Sequence, residues 1–202
     1  QDLDIRGAGN LLGAEQSGFI TDMGFETYQK ILAEAMEELG METGIMTRST
    51  TDNFVSDCTI ETDQLALIPD TYIDMTAEKI RIYKELDSIS SEKGLSDMKS
   101  RLTDRFGTMP VELERLFDIV RIRQLGKNLG FEKIIVKNGV LIAFFISNPL
   151  SQYYRSNKFS KVLENVSAHP NLFEVKQPDG RLRIVVRNVD SLEKAYKILK
   201  ML

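Results

Sequence analysis

Four glycines, Gly7, Gly9, Gly13 and Gly18, surround one arginine, Arg6, and one glutamine, Gln16, in the stretch DLDIRGAGNLLGAEQSGF. Glycine-rich turns can bring backbone N–H groups up to a phosphate, so a nucleotide site is the first chemistry to test. Gly7, Gly9 and Gly13 are spaced G-x-G-x-x-x-G, close to a dinucleotide fingerprint. That fingerprint needs a strand before it, a helix opening from it, and an acid about twenty residues further on. Here only six residues precede Gly7, and an amphipathic helix pattern fills the place of the second strand. A Walker A loop is also missing, since Gly126-Lys127 runs into Asn128 with no upstream glycine at the right distance. The residues therefore read as having no phosphate-binding loop.

Other reactive side chains are few. His169 is the only histidine, which excludes a His-based metal cluster. It reads as a polar residue in a loop that ends a helix. Cys58 has no C-x-x-C partner and reads as a packed or edge thiol rather than a nucleophile. Adjacent acids such as Glu37-Glu38 are ordinary on a helix surface. The basic run RIRQLGK, 121–127, reads as a solvated helix flank or as a contact for an acidic partner. Arg6 offers a planar five-donor fork and Gln16 both donates and accepts. With glycines between them, they suit a mechanical grip on another element. They equally suit a glycine loop whose arginine pairs with Asp2 or Asp4.

The elements that would position these groups follow from periodicity. Residues 23–39 place Phe25, Tyr28, Ile31, Leu32, Ala35, Met36 and Leu39 on one stripe, an amphipathic helix that Gly40 can end. Residues 41–53 are small and polar and read as a linker, which divides the chain into 1–53 and 54–202. A strand is expected at 55–62 and an extended stretch at 65–73. Helices are expected from Asp74 as N-cap to Ile89, over 92–106, and over 111–129. Gly107, Pro110 and Gly130 mark the boundaries. The period then changes from 3.6 to 2. Asn138-Gly139 predicts a type I′ hairpin between EKIIVK and VLIAFFI. A helix at 149–168, a second hairpin around Pro178-Asp179-Gly180, and a last helix opened by Asp190 and Glu193 as a capping box complete the pattern. The class is α+β: a helical N-terminal segment, then a domain of antiparallel hairpins packed with about five helices.

Composition bounds the function. Of 202 residues, 42% are apolar, enough for a core, and no run approaches the ~18 apolar residues of a membrane helix. One cysteine excludes an internal disulfide and fits a reducing compartment. The first residue is Gln1, which reads as a fragment or a processed chain. The net charge of −4 is uneven: residues 1–50 hold nine acids against three bases, leaving a small positive excess in the remainder. Neither part has the dense positive charge that phosphate-backbone binding requires.

DLDIRGAGNLLGAEQSG resembles the motif that follows the second motor lobe in two DNA translocase families, the transcription-repair coupling factors and the RecG-type helicases. IPDTYI, EKIRIYKEL, LTDRFGTMP and IRQLGKNLGFEKI are similar to the C-terminal domain of the transcription-repair coupling factors, which the RecG type lacks. The resemblance implies a bacterial, cytoplasmic, ATP-dependent DNA translocase as parent. Such a parent removes stalled RNA polymerase from double-stranded DNA and recruits the excision-repair protein UvrA. ATP and Mg would be held by motor lobes upstream, and the fragment itself would carry no catalytic centre and no metal. Arg6, Gln16, Gly7, Gly9 and Gly13 fall on the family's motor-coupling motif. Residues 54–202 fall on a clamp that packs on the N-terminal domain of the same polypeptide and masks the UvrA surface. Lys99, Arg101 and Asp104 are the expected interface; Arg101 stands where some relatives would have an acid. The alternative is a stand-alone nucleic-acid-binding module.

Overall fold

The computed structural model describes residues 54–202. The glycine cluster with Arg6 and Gln16, the helix expected at 23–39 and the linker lie outside the described residues. In chain order the elements are β1 (Thr59–Thr62), α1 (Thr76–Ser88), α2 (Glu92–Phe106), α3 (Val111–Leu129), β2 (Phe131–Lys137) and β3 (Val140–Phe145). A 3-10 turn (Gln152–Arg155), α4 (Asn157–Ala168), β4 (Glu174–Lys176), β5 (Arg183–Arg187) and α5 (Leu192–Leu199) follow.

Local chemistry sets most of the boundaries. Asn138 and Gly139 join β2 to β3 at φ 52° and 71°, the pair of positive values a type I′ turn needs. Gly107 ends α2 at φ 87° and Gly130 ends α3 in the left-handed region, as glycine does at least cost. Pro110 precedes α3, where its missing N–H removes no helical bond. Ser91, Ser156 and Ser191 each accept a bond from a first-turn N–H of the helix they open.

Three local expectations are corrected. The last helix is capped by Ser191 rather than Asp190, because Ser191 lies one residue closer to the first turn; Glu193 instead pairs with Lys197 at 2.5 Å. The helix expected at 149–168 is two pieces, since Ser151 caps the 3-10 turn and Ser156 restarts the chain as α4. The cap of α1 is Met75, not Asp74, and makes no side-chain bond. Within the stretch expected to be extended at 65–73, residues 69–73 close a turn on the Pro69 carbonyl, which accepts from the N–H of Tyr72 and Ile73 at 3.0 Å.

The sheet order is β1-β2-β3-β5-β4. β2, β3, β5 and β4 pair antiparallel, as the two hairpins require. β1 pairs parallel to β2, because α1, α2 and α3 carry the chain back to the starting end of the sheet. The inner face presents Ile134, Val136, Leu141, Ala143, Phe145, Ile184 and Val186, all buried, to the helices. Phe117 and Ile122 of α3, with Leu192, Ala195 and Leu199 of α5, belong to the same core. Burial of a Leu, Ile or Phe side chain stabilises by about 1.5–3 kcal/mol, so this layer dominates the energetics.

Candidate functional site

The residues expected at a partner interface lie on α2. Leu95, Met98 and Leu102 turn its apolar stripe inward, which leaves Lys99, Arg101 and Asp104 exposed. Lys99 Nζ lies 2.9 Å from Glu114 of α3, and Arg101 is paired with Glu85 of α1. Arg105 reaches Glu78 of α1 at 2.6 Å, and its guanidinium lies over the Phe106 ring. Lys99, Arg101 and Arg105 therefore form a ladder to carboxylates on both neighbouring helices. Arg101 suits this position because Glu85 faces it. Asp104 has no ion-pair partner among the described residues. Each exposed rung is worth less than about 1 kcal/mol and weakens with salt, so the ladder can be exchanged for contacts with another protein at little cost.

The basic run 121–127 is neither a solvated flank nor a free partner contact. Arg121 bonds Glu92 at 3.2 Å and Asp118 at 3.3 Å. Arg123 grips both oxygens of Asp57, at 2.7 and 2.8 Å, and also pairs with Asp87. Burial works against its charge, yet the hydrogen bonds to Asp57 and Asp87 push its pKa above the ordinary value. Gln124 donates to the Ile89 carbonyl at 2.5 Å. Sequence distance hid this arrangement, because Asp57, Asp87 and Arg123 come from three separate segments.

His169 follows α4 and is exposed, with Nδ1 3.0 Å from the Asn165 carbonyl. Cys58 is buried just before β1, and burial, aided by the adjacent Asp57, pushes its thiol up to about 12. It packs on Gly126 of α3, where an added Cβ would sit 2.6 Å from the sulfur. A thiol held neutral and covered is a packing group. No group of three or more His, Cys, Asp or Glu among the described residues could hold a metal ion.

The motifs picked out by resemblance do structural work around these helices. In IPDTYI, Asp70 pairs with the buried Lys79 of EKIRIYKEL. Tyr83 Oη accepts from the Ile68 N–H at 3.1 Å. Tyr72 Oη lies 3.0 Å from the Leu102 carbonyl and 3.1 Å from that of Gly107, which ties IPDTYI to LTDRFGTMP. Gly126 and Gly130 of IRQLGKNLGFEKI let α3 approach Cys58 and Tyr153. Residues 62–156, which contain all four segments, match the TRCF domain family.

The chain carries a TRCF domain.

Relatives of this TRCF domain agree. The transcription-repair-coupling factor of Staphylococcus epidermidis is 37% identical over 189 residues, 93% of this chain and 14% of that protein. The factor of Rickettsia typhi is 33% identical over 190 residues, 94% of this chain and 16% of that protein. That of Bacillus subtilis is 40% identical over 134 residues, 66% of this chain and 11% of that protein. The chain thus spans about one seventh of the curated relatives it matches. The crystal structure of the C-terminal domain of transcription-repair coupling factor superposes with a TM-score of 0.57 at 20% identity, over 72% of this chain and 86% of that one. That likeness shows the fold, and it agrees with an α+β class. No helix among the described residues is long and apolar enough to cross a membrane.

Proposed function

We propose that this chain is the C-terminal part of an ATP-dependent DNA translocase that displaces stalled RNA polymerase and couples transcription to nucleotide excision repair. Residues 54–202 act as a regulatory clamp on the N-terminal domain of the same polypeptide and cover the surface that UvrA would use. Residues 1–53 couple the motor, with Arg6 and Gln16 gripping and Gly7, Gly9 and Gly13 turning the backbone. ATP and Mg belong to upstream lobes of the parent, and the parent works in the bacterial cytoplasm. The match of residues 62–156 to the TRCF domain carries this reading. The α2 ladder supports a protein contact: Lys99 and Arg101 are exposed, exchangeable charges on a rigid helix, beside the uncompensated Asp104.

The test uses the full-length parent. Deletion of residues 55–202 raises its affinity for UvrA, and Arg6→Ala slows translocation while ATP hydrolysis persists. Unchanged UvrA affinity removes the clamp, and normal translocation removes the role of Arg6. A stand-alone nucleic-acid module is the second reading, favoured only by the cations along the sheet. It requires affinity that falls by orders of magnitude between about 50 and 200 mM salt.

A further inference from the structure

Two loops meet at one end of the sheet and leave a pocket between them. The β2–β3 turn brings Asn138 and Gly139, and the segment from β5 to α5 brings Arg187, Asn188, Asp190 and Lys194. The pocket has a volume of about 430 Å³ and opens to solvent. It is preformed. The Val189 N–H donates to the Gly139 carbonyl at 2.8 Å, which locks the two loops together. The residues after β1 brace both. Asp63 accepts from the Asn138 N–H at 2.7 Å, and Gln64 Nε2 donates to the Asp190 carbonyl at 3.1 Å. The next carbonyl, that of Leu65, accepts from Arg115 Nη1 at 3.1 Å. Held this way, the Leu65 side chain stands 58% exposed beside the pocket.

The lining offers three kinds of contact. Arg187 holds Glu174 through Nε at 2.8 Å, and its two terminal nitrogens have no hydrogen-bond partner among the described residues. Lys194 Nζ lies 3.5 Å from Asp190, a loose and exposed pair that another carboxylate replaces at little cost. Asn138 and Asn188 both sit at positive φ, 52° and 59°, and neither side-chain amide is bonded among the described residues. Each amide donates and accepts, as a peptide backbone does. Nothing lies within 4 Å of a Cβ built on Gly139, so a second chain can come close to the turn. Leu65 adds an apolar contact at the side.

These features select a class of ligand. Two cations suit an anion, while Asp190 on the same wall repels a phosphate dianion more than a single carboxylate. No aromatic ring lines the pocket, so nucleobases have no stacking platform. An inorganic anion would use the two amides only as donors, whereas a peptide bond uses both their groups. We propose that this pocket binds an extended acidic segment of a partner protein, with its carboxylate on Arg187 and Lys194 and its backbone on Asn138 and Asn188. An apolar side chain next to the acid rests on Leu65. The site uses none of the α2 charges and does not depend on the clamp reading.

The experiment is a titration of isotope-labelled chain 1–202 with the blocked peptide acetyl-Ser-Leu-Asp-Ser-Leu-Ser-amide, followed through the side-chain amide resonances of Asn138 and Asn188. The expected result is a saturable shift of both. Arg187→Gln with Lys194→Gln weakens binding about tenfold, as does asparagine in place of the peptide's aspartate. Both side chains are exposed, so the double variant keeps the parent circular dichroism. Asp190→Asn strengthens binding about threefold, because it removes the like charge. Leu65→Ser weakens it about threefold. No shift at about 1 mM peptide overturns the proposal. So does equal affinity for the double variant or for the asparagine peptide. Inorganic phosphate that shifts the two amides as strongly at the same concentration makes the pocket a small-anion site, and a single-stranded oligonucleotide that does so makes it a nucleic-acid contact; either result also overturns it.

Discussion

Gly130→Ala tests the packing argument most sharply. Gly130 closes α3 at φ 88° and ψ 30°, and its N–H bonds the carbonyls of Gly126 and Lys127 at 3.0 and 3.3 Å. An alanine in the left-handed region costs about 1–2 kcal/mol. A Cβ there would also collide with ring atoms Cε2 and Cζ of Tyr153 and lie 2.7 Å from its hydroxyl. The ring has nowhere to go. Its hydroxyl donates to the Leu129 carbonyl, and Phe54, Phe145, Tyr154 and Phe159 surround it with centroids 5.3–6.2 Å away. Overpacking of this kind adds about 1–3 kcal/mol, giving a total of roughly 2–5 kcal/mol. Gly139→Ala is the control: φ is 71° and nothing lies within 4 Å, so only the backbone term of about 1–2 kcal/mol applies. Urea unfolding of the chain 1–202, followed by far-UV circular dichroism, measures both. In a Tyr153→Leu background the cost of Gly130→Ala falls to that of Gly139→Ala, because the collision is gone. Equal costs for the two glycines in the parent background would refute the reasoning.

Two further outcomes follow from the buried groups. Arg123→Met takes the guanidinium from Asp57 and Asp87 and lowers stability by about 2 kcal/mol, less than the about 3–5 kcal/mol of a fully buried pair because Asp57 is 54% exposed and still accepts from the Cys58 N–H. A melting temperature equal to that of the parent protein would disprove it. Cys58 ionises at about 12 when folded against 9.0 for an ordinary thiol, so its contribution is complete below pH 9 and is lost as pH rises from 9 towards 12. Native protein at pH 8 therefore resists a thiol reagent that labels it at once in urea; equal rates in both would show that the sulfur is not covered.

Much of the fold was legible because single residues punctuate it. The limits expected for α2 and α3 agree with Glu92–Phe106 and Val111–Leu129, where Gly107, Pro110 and Gly130 leave the backbone little choice. Asn138-Gly139 likewise sets the hairpin. Choices between equivalent neighbours were not legible. Asp190 and Ser191 are both good cap residues by type, and it is the Ser191 side chain that accepts from the Lys194 N–H. The direction of β1 was hidden too, since four residues with one buried side chain, Ile60, fit either orientation. Of the expected interface, the exposure of Lys99, Arg101 and Asp104 was visible in the helical period. Their ties to Glu114 and Glu85 were not, because those partners sit 15 and 16 positions away on other helices. The charge around Arg123 was misread for the same reason: a run that looks basic in one dimension is neutralised by Asp57 and Asp87 in three.

The parallel seat of β1 has a consequence for synthesis on the ribosome. Glu61 and Lys137, which bond across the β1–β2 pair, are 76 positions apart. At about 5–20 residues per second, β1 leaves the ribosome roughly 4–15 s before its neighbour exists. The hairpin of β2 and β3, by contrast, can close within microseconds of emerging. Thr59, Glu61 and Thr62 keep the waiting strand polar on three of its four positions, which protects the nascent chain from sticking to others while the template is made.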